Sequence, residues 1–220
     1  MDFDISNVTD PMGMDGCIDF DHQANAGLPE DIWCEGCDLR TIFESNYASI
    51  MSRADFWVAA ANAAILITSG GDLDLKDTFA FGRVDADICV DSATRLPQDT
   101  SCTFVEDVFL NRMNVSWTDA VALIGAHTLG RGSVNFSGHE GIWVDDVDRT
   151  AVFDKRFYEE MLRRAWIPRN LDDNGLPQDW TWGNNNNGNP RFMLNTDMCL
   201  LFDIDTERSP DNAVFPCCSR

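Results

Sequence analysis

Two apolar segments, each preceded by Ser-x-x-Asp, constrain the fold of this chain more than any other feature. In both, a serine (Ser52, Ser116) is followed three residues later by aspartate and then by an apolar run, 56–65 in the first and 120–126 in the second. A serine with an acidic residue three positions on is typical of a helix N-terminus. Both segments are predicted to be helices, and the first, ended by the glycines at 70–71, is expected to be mostly buried.

Two more helices are predicted from apolar residues at helical spacing. The segment 103–113 carries an apolar stripe, and 153–166 repeats apolar residues every four positions up to a stop at Pro168. Strand signals are few and short, near 78–82. The prediction is therefore a mainly α fold with few short strands, in a single domain over residues 1–220.

The charge balance excludes two classes of partner. There are 37 Asp and Glu residues against 16 Lys and Arg, a formal net charge of −21 at pH 7. A phosphate backbone requires clustered Lys and Arg, and the longest apolar runs are too short to cross a bilayer. Neither nucleic-acid binding nor membrane insertion is expected, whereas cations remain compatible ligands.

Eight cysteines are more than a reducing cytosol usually tolerates. An even number indicates up to four disulfides and an oxidising compartment, with the pairing left open. The alternative is zinc bound through the C-x-x-C of Cys34 and Cys37, but no second pair follows at zinc-ribbon spacing. We favour disulfides and expect a secreted or otherwise oxidising location, although residues 1–4 do not have the character of a signal peptide. A truncated sequence would reconcile the two.

Of the three histidines, His127 has the most informative surroundings. It follows the apolar stripe of the 116–127 segment near the end of that predicted helix, whereas His22 lies in an acidic loop. A histidine in the place of His127 is commonly a packed core residue. A metal-ligand role would require a buried acid to accept a hydrogen bond from its other ring nitrogen.

The segment 121–131, Val-Ala-Leu-Ile-Gly-Ala-His-Thr-Leu-Gly-Arg, resembles the proximal haem-ligand motif of the plant, fungal and bacterial haem peroxidase superfamily. Other blocks of that family are matched in the same order by segments 15–17, 25–28, 52–57, 81–85, 137–143 and 193–198. The resemblance implies the haem peroxidase fold with haem b as cofactor. It also implies reduction of hydrogen peroxide, one-electron oxidation of a small-molecule or protein donor, and a role in the response to oxidative stress.

The resemblance also implies roles for individual residues. His127 would bind the haem iron through Nε2 and donate from Nδ1 to Asp197, which lowers the reduction potential of the iron. Trp143 lies 16 residues after His127, where cytochrome c peroxidase and ascorbate peroxidase place an indole beneath the haem. Simple core packing of Trp143 is the alternative, and both descriptions can hold together. Further residues expected near the haem are Arg131, Ser133 and Ser137.

Cation sites accompany several branches of this family, and they use oxygen ligands suited to calcium. The proximal set would consist of Thr128, Asp148, Thr150, the carbonyl of Val152, and Asp154. The run containing them is one residue shorter than in the secreted fungal enzymes of the family, and Asp148 is almost as well explained as a surface acid. A distal site would use Asp15, next to Cys17, which replaces the usual serine with a softer ligand.

The main departure from the family concerns the distal side of the haem. Peroxide cleavage there requires a histidine and an arginine on one helix, upstream of the block that contains Asp15. No histidine or arginine precedes Asp15 in this sequence. The sequence is therefore expected to be a fragment of a longer peroxidase, without the distal helix and the last helices, and a natural protein without the distal pair is the alternative. A non-catalytic haem- or calcium-binding module and an acidic interaction protein without haem are the rival functions.

Overall fold

Helices make up most of the regular structure, which confirms the mainly α prediction. The computed structural model describes residues 4–8, 13–22, 25, 27, 32–89, 101–171, 177–182 and 189–202. These residues include seven α-helices and three short strands. By their contacts the residues form two compact units, Met1–Leu96 and Pro97–Arg220. The single domain expected for residues 1–220 stays a prediction.

The described part of the first unit contains two α-helices. Helix α1, Asp38–Ile42, continues into a π-helical turn, Phe43–Tyr47, and α2 spans Arg53–Thr68. A 3-10 turn follows at Lys76–Thr78. The strand expected near residues 78–82 is wrong, because the chain leaves this turn as an extended segment without a pairing partner among the described residues.

The N-terminus of α2 is capped as its sequence predicts. The Ser52 hydroxyl accepts from the main-chain N–H of Asp55 at 3.0 Å, and the Asp85 carboxylate accepts from the N–H groups of Arg53 and Ala54. The expectation of a mostly buried helix is wrong, however. Its buried residues are confined to the first turn, because its aromatic neighbours Trp33 and Phe43 pack against that end through Phe56.

Those neighbours form an aromatic cluster that anchors α2. Trp33 packs against Phe43 and Trp57 with ring centroids 5.7 and 4.7 Å apart, and Phe56 lies 5.1 Å from Phe43. Aromatic pairs at such separations stabilise a fold beyond the area they bury. The cluster therefore ties the segment before α1 to the first turn of α2.

The second unit begins with helices that lead to the candidate site. Helix α3, Cys102–Val105, runs on as a π-helical segment, Glu106–Arg112, and confirms the helix predicted over 103–113. Helix α4, Trp117–Ile124, ends in a 3-10 turn. Three further helices lie in the described residues of this unit: α5 Val134–Ser137, α6 Arg156–Arg163 and α7 Asn195–Met198.

One hydrophobic core joins these elements. Phe157 and Met161 from α6 lie in it beside Ala120 and Ile124 from α4, and Met198 comes from α7. The other buried members are Val105, Phe109, Trp166, Trp180 and Met193. Because α4 and α7 share this core, their ends are held close together.

A three-stranded antiparallel sheet follows α6. Its strands are β1 Ile167–Leu171, β2 Pro177–Thr181 and β3 Phe192–Met193, in the order β1-β2-β3. The helix predicted over 153–166 is shorter than expected, and Pro168 lies inside β1 opposite Trp180 instead of ending a helix. The backbone turns extended at residue 164, and the strand pairing then sets the path of the chain.

None of the helices in the described ranges combines the length and the apolar character that a membrane crossing requires.

Candidate functional site

Helix α4 places His127 through an N-terminal cap and a tightened C-terminal turn. Ser116 and Asp119 form a reciprocal capping box, in which the Ser116 hydroxyl accepts from the Asp119 N–H and the Asp119 carboxylate accepts from the Ser116 N–H. The last turn narrows to a 3-10 turn, Gly125–Thr128. His127 lies in this turn with 36% of its side chain exposed, so its ring combines a buried side with an accessible one.

Asp197 is the centre of the site. Its carboxylate lies in α7, is fully buried, and accepts from His127 Nδ1 at 2.7 Å, from Trp143 Nε1 at 2.7 Å and from the main-chain N–H of Leu194 at 2.8 Å. A buried carboxylate is costly unless hydrogen-bond donors surround it. Three donors meet that requirement and fix the positions of the imidazole and the indole together.

Trp143 also stacks on His127. Their ring centroids are 4.5 Å apart and the ring planes differ by 19°. Two isolated bridges just before Trp143 hold its backbone, one between Gly132 and Gly141 and one between Ile142 and Arg191. Gly141 has φ +134°, and a Cβ at this position would collide with the Pro190 carbonyl, so glycine is required there.

The electrostatics of the site favour a proton on Nδ1 of His127. Burial lowers the pKa of His127, but the hydrogen bond to Asp197 and the charge of that carboxylate outweigh burial, and the pKa lies above its ordinary value. An ionised carboxylate can only accept, so Nδ1 is the donor. In the neutral imidazole this leaves the lone pair on Nε2, the atom that a metal would bind.

These three residues fit a haem iron ligand in their donor chemistry. A ligating histidine usually donates its other ring N–H to a carboxylate, which makes the ligand more basic. His127 is partly accessible, its Nδ1 is committed to a buried acid, and Trp143 supports one face of the ring. The structure therefore brings His127 and Trp143 to Asp197, although they precede it by 70 and 54 positions in the sequence.

The three residues expected near the haem lie around α5. Arg131 is exposed, and Ser133 precedes the helix. The Ser137 hydroxyl donates to the Ser133 carbonyl at 3.0 Å and accepts from the His139 N–H at 3.3 Å. These contacts shape the loop after His127, and none of them joins the Asp197 carboxylate.

The proximal cation set is brought together only in part. The Thr128 hydroxyl donates to the Asp154 carboxylate at 3.1 Å, and the Thr150 carbonyl accepts from the Gly130 N–H at 2.8 Å. Asp148 is exposed at the start of a 3-10 turn, and Val152 follows that turn. Across the described ranges, no group of three or more His, Cys, Asp and Glu residues is arranged to hold a metal ion.

Asp15, the expected distal ligand, lies in the first unit. Its carboxylate accepts from the main-chain N–H of Cys17 at 2.9 Å, and its carbonyl accepts from Ala86 at 2.9 Å. The Cys17 sulfur is bonded to Cys89. Cys17 therefore cannot offer a thiolate in place of the serine hydroxyl, and its role is a structural link.

Sequence reasoning missed a second buried acid near the site. Asp179 accepts from Arg169 Nε and Nη2, both at 2.7 Å, and lies 2.9 Å from His139 Nδ1. The His139 ring stacks on Phe192, which in turn packs against Trp143 with centroids 4.3 Å apart. His139 was the one sequence feature that could have indicated this acid. Its contact with Asp179 depends, however, on the pairing of β1 with β2, which the sequence did not predict.

The family model described as peroxidase matches residues 13–211. Similar curated proteins include a mitochondrial cytochrome c peroxidase of Emericella nidulans, 31% identical over 83% of this chain and 46% of that protein. Two from Arabidopsis thaliana are L-ascorbate peroxidase 2, cytosolic, 36% identical over 64% of this chain and 51% of that protein, and L-ascorbate peroxidase 3, 34% identical over 64% and 45%. The chain spans about half the length of these relatives.

Proposed function

This chain belongs to the peroxidase family, and on that premise we propose that it binds haem b with His127 as the iron ligand and serves in the reduction of hydrogen peroxide. A small-molecule or protein donor would be oxidised in one-electron steps. The observation that carries the proposal is the buried Asp197 carboxylate shared by His127 Nδ1 and Trp143 Nε1. The matched relatives named cytochrome c peroxidase and ascorbate peroxidase support it.

The residues of the site would act on the ligand atom. Bound haem supplies a redox-active iron, whose potential depends on the axial ligand and its hydrogen bonds. Asp197 holds the proton on Nδ1 and lends its negative charge to the imidazole, so that Nε2 becomes a stronger electron donor. Trp143 limits rotation of the ring through stacking and keeps the second carboxylate oxygen occupied.

The test is removal of the His127 side chain. His127→Ala should abolish the haem Soret band after reconstitution with haemin, and added imidazole should restore it in part. His22→Ala is the matched control, since it removes a histidine from the other unit, and it should keep the band. A folded His127→Ala protein with an unchanged Soret spectrum would exclude His127 as the ligand.

A haem-binding module without peroxide turnover is the second candidate. One feature of the site favours this candidate. His127 supplies the ligand atom Nε2, Asp197 and Trp143 orient its ring, and none of the three is placed to transfer a proton to peroxide. Stopped-flow mixing of the haem-loaded chain with hydrogen peroxide separates the two. Rapid, saturable peroxide consumption supports the enzyme, and spectral stability under peroxide supports the module.

We also propose that Thr128 and Asp154 form part of a calcium site. Their contact supports this proposal, because a hydroxyl and a carboxylate oxygen are hard ligands of the kind calcium prefers. Calcium should raise the thermal midpoint of the protein, and Asp154→Asn should remove that increase. The same measurement on Asp148→Asn shows whether this exposed carboxylate also contributes to calcium binding.

For location, we propose an oxidising compartment, with a role in the response to oxidative stress. Three disulfides among the described cysteines support the first part of this proposal. Thiol alkylation of the protein taken from its native source, without prior reduction, tests it. Free thiols at these six positions would contradict an oxidising location.

A further inference from the structure

The disulfide between Cys34 and Cys37 differs from the other two in the described chain. Those two join residues 72 and 97 positions apart, whereas Cys34 and Cys37 are only three apart. The stabilisation that a disulfide gives by restraining the unfolded chain grows with the loop it closes. Stabilisation of this kind therefore explains the two long-range disulfides. The Cys34–Cys37 disulfide closes too short a loop to stabilise the fold in the same way.

The turn keeps these two cysteines together without their sulfur–sulfur bond. The Cys37 N–H donates to the Cys34 carbonyl at 3.1 Å, and the Thr41 N–H donates to the Cys37 carbonyl at 2.9 Å. Gly36 has φ +85°, in the left-handed region that glycine tolerates best. Because these features lie in the main chain, reduced thiols would stay side by side and the disulfide could form again.

The same turn is accessible from solvent. Glu35 and Gly36 are exposed, and a Cβ built on Gly36 would meet no atom within 4 Å. Both cysteines are half-buried. The described residues gather no third ligand for a metal at this pair, so the zinc alternative lacks a ligand set. An accessible disulfide in a pre-formed turn is instead a target for an attacking thiolate.

We propose that Cys34 and Cys37 form a redox-active disulfide that exchanges with a dithiol reductant. A thiolate of the dithiol attacks one sulfur, the Cys34–Cys37 bond breaks, and the other cysteine leaves as a thiolate that takes up a proton. The second thiol of the reductant then attacks the mixed disulfide, releases the remaining cysteine, and becomes part of a disulfide. Two electrons pass from the dithiol to the protein.

The charge of this segment selects the reductant. Glu35 and Asp38 lie on either side of Cys37, and Arg40, the nearest cation along the sequence, pairs with Glu44 at 2.7 Å. An acidic surface repels an anionic thiol and raises the local concentration of a cationic one. Neutral or cationic dithiols are therefore the expected substrates, in preference to anionic thiols. This inference does not depend on haem binding.

The experiment uses the full chain in dithiothreitol buffers of graded reduced-to-oxidised ratio. Acid quenching, alkylation and peptide mapping report the redox state of each cysteine separately. Cys34 and Cys37 should become alkylated together at ratios that leave the long-range disulfides intact, with unchanged far-ultraviolet circular dichroism, and should re-oxidise when the ratio is reversed. Three results would overturn the proposal. The Cys34–Cys37 disulfide could be reduced only together with the other disulfides, be reduced only with loss of helical signal, or fail to form again when the ratio is reversed.

Two variants sharpen the result. Cys37→Ser leaves a single thiol at Cys34, which should be trapped as a stable mixed disulfide with cystamine, whereas the unaltered pair should release the cystamine half and close again. Replacing Cys17 and Cys89 together by serine is the matched control, because it removes a long-range link and should leave exchange at Cys34 and Cys37 unchanged. A mixed disulfide that persists on the unaltered pair would contradict the exchange mechanism.

Discussion

At the scale of single residues, the carboxylate of Asp197 decides what His127 can do. The same imidazole without an acid on Nδ1 would be a weaker and less oriented ligand. Both oxygens of Asp197 are engaged, Oδ1 by His127 and Oδ2 by Trp143 and Leu194. The donor strength of His127 Nε2, the atom that we propose as the iron ligand, is therefore set by Asp197 through the other ring nitrogen.

Asp197→Asn tests this dependence. The amide keeps the shape but removes the charge, and a hydrogen bond to a charged group is worth about 1.5–3 kcal/mol. The reduction potential of the reconstituted haem should rise in this variant. Trp143→Phe, the control, removes one donor and keeps the charge, so its potential should move much less. Redox titration of both proteins provides the measurement, and equal shifts would assign the effect to packing.

At the scale of elements, Trp143 lies outside the helices and is positioned by short main-chain bridges. The Gly132–Gly141 bridge closes the loop after His127, and the Ile142–Arg191 bridge joins that loop to the segment before β3. Phe192 N–H also donates to the Ile142 carbonyl at 3.1 Å. The indole therefore approaches Asp197 from a backbone that is fixed directly before Trp143.

Gly141→Ala should disturb this arrangement strongly. A left-handed backbone costs a non-glycine residue roughly 1–2 kcal/mol, and the collision with the Pro190 carbonyl adds to that cost. Gly130→Ala is the matched control, since Gly130 has φ +82° and its Cβ would meet open space. Urea unfolding should show a larger loss for Gly141→Ala, and equal losses would mean that the close contact is unimportant.

The pairing of β1 with β2 carries an acid-sensitive group. Burial raises the pKa of Asp179, but its hydrogen bonds and ion pairs with His139 and Arg169 outweigh burial, and the pKa lies below its ordinary value. A depressed folded-state pKa gives stability that is present above the ordinary value of about 3.9 and is lost as the pH falls through the folded value. Asp179 should therefore stabilise the protein at neutral pH.

Thermal unfolding between pH 7 and pH 2 measures this contribution. Asp179→Asn should lower the midpoint of thermal unfolding at pH 7. The difference in midpoint between this variant and the unaltered protein should shrink as the pH falls below about 4. Asp148→Asn is the control, because that carboxylate is exposed, and its effect should be small throughout. A difference for Asp179→Asn that stays constant down to pH 2 would contradict the role of its charge.

At the scale of the whole molecule, the net charge of −21 is the dominant feature. Charge far from zero keeps a protein soluble but destabilises the compact state through self-repulsion. Salt screens such repulsion over a distance of about 10 Å at 0.1 M. The acidity of this chain should therefore make its stability depend strongly on ionic strength.

Sodium chloride should raise the thermal midpoint between 0.01 and 0.5 M, with most of the increase at the low end, where the screening length changes most. A titration with choline chloride controls for specific sodium binding and should give the same curve. A midpoint that falls with salt would show that attractive ion pairs, such as the one between Arg169 and Asp179, outweigh the general repulsion.

Local features of the molecule could be predicted from the sequence alone. The caps at Ser52 and Ser116, the helix ahead of His127 and the mainly α class all follow from hydrogen bonds and periodicities that span three or four residues. The likeness to the peroxidase family also pointed to Asp197 and Trp143. What the sequence determined by itself is therefore the presence of the four predicted helices and, through the resemblance, the choice of Asp197 and Trp143 as candidate partners of His127.

The tertiary structure decided which distant groups meet. The partnership of Cys102 with Cys199, the ion pairs of Asp179, and the strand that contains Pro168 all depend on chain segments brought together by packing. A periodicity of three or four residues carries no information about such pairings, because their free energy is gained only after a long loop has closed. For the same reason, the contact of His127 with Asp197 across 70 positions becomes visible as a hydrogen bond only in the folded chain.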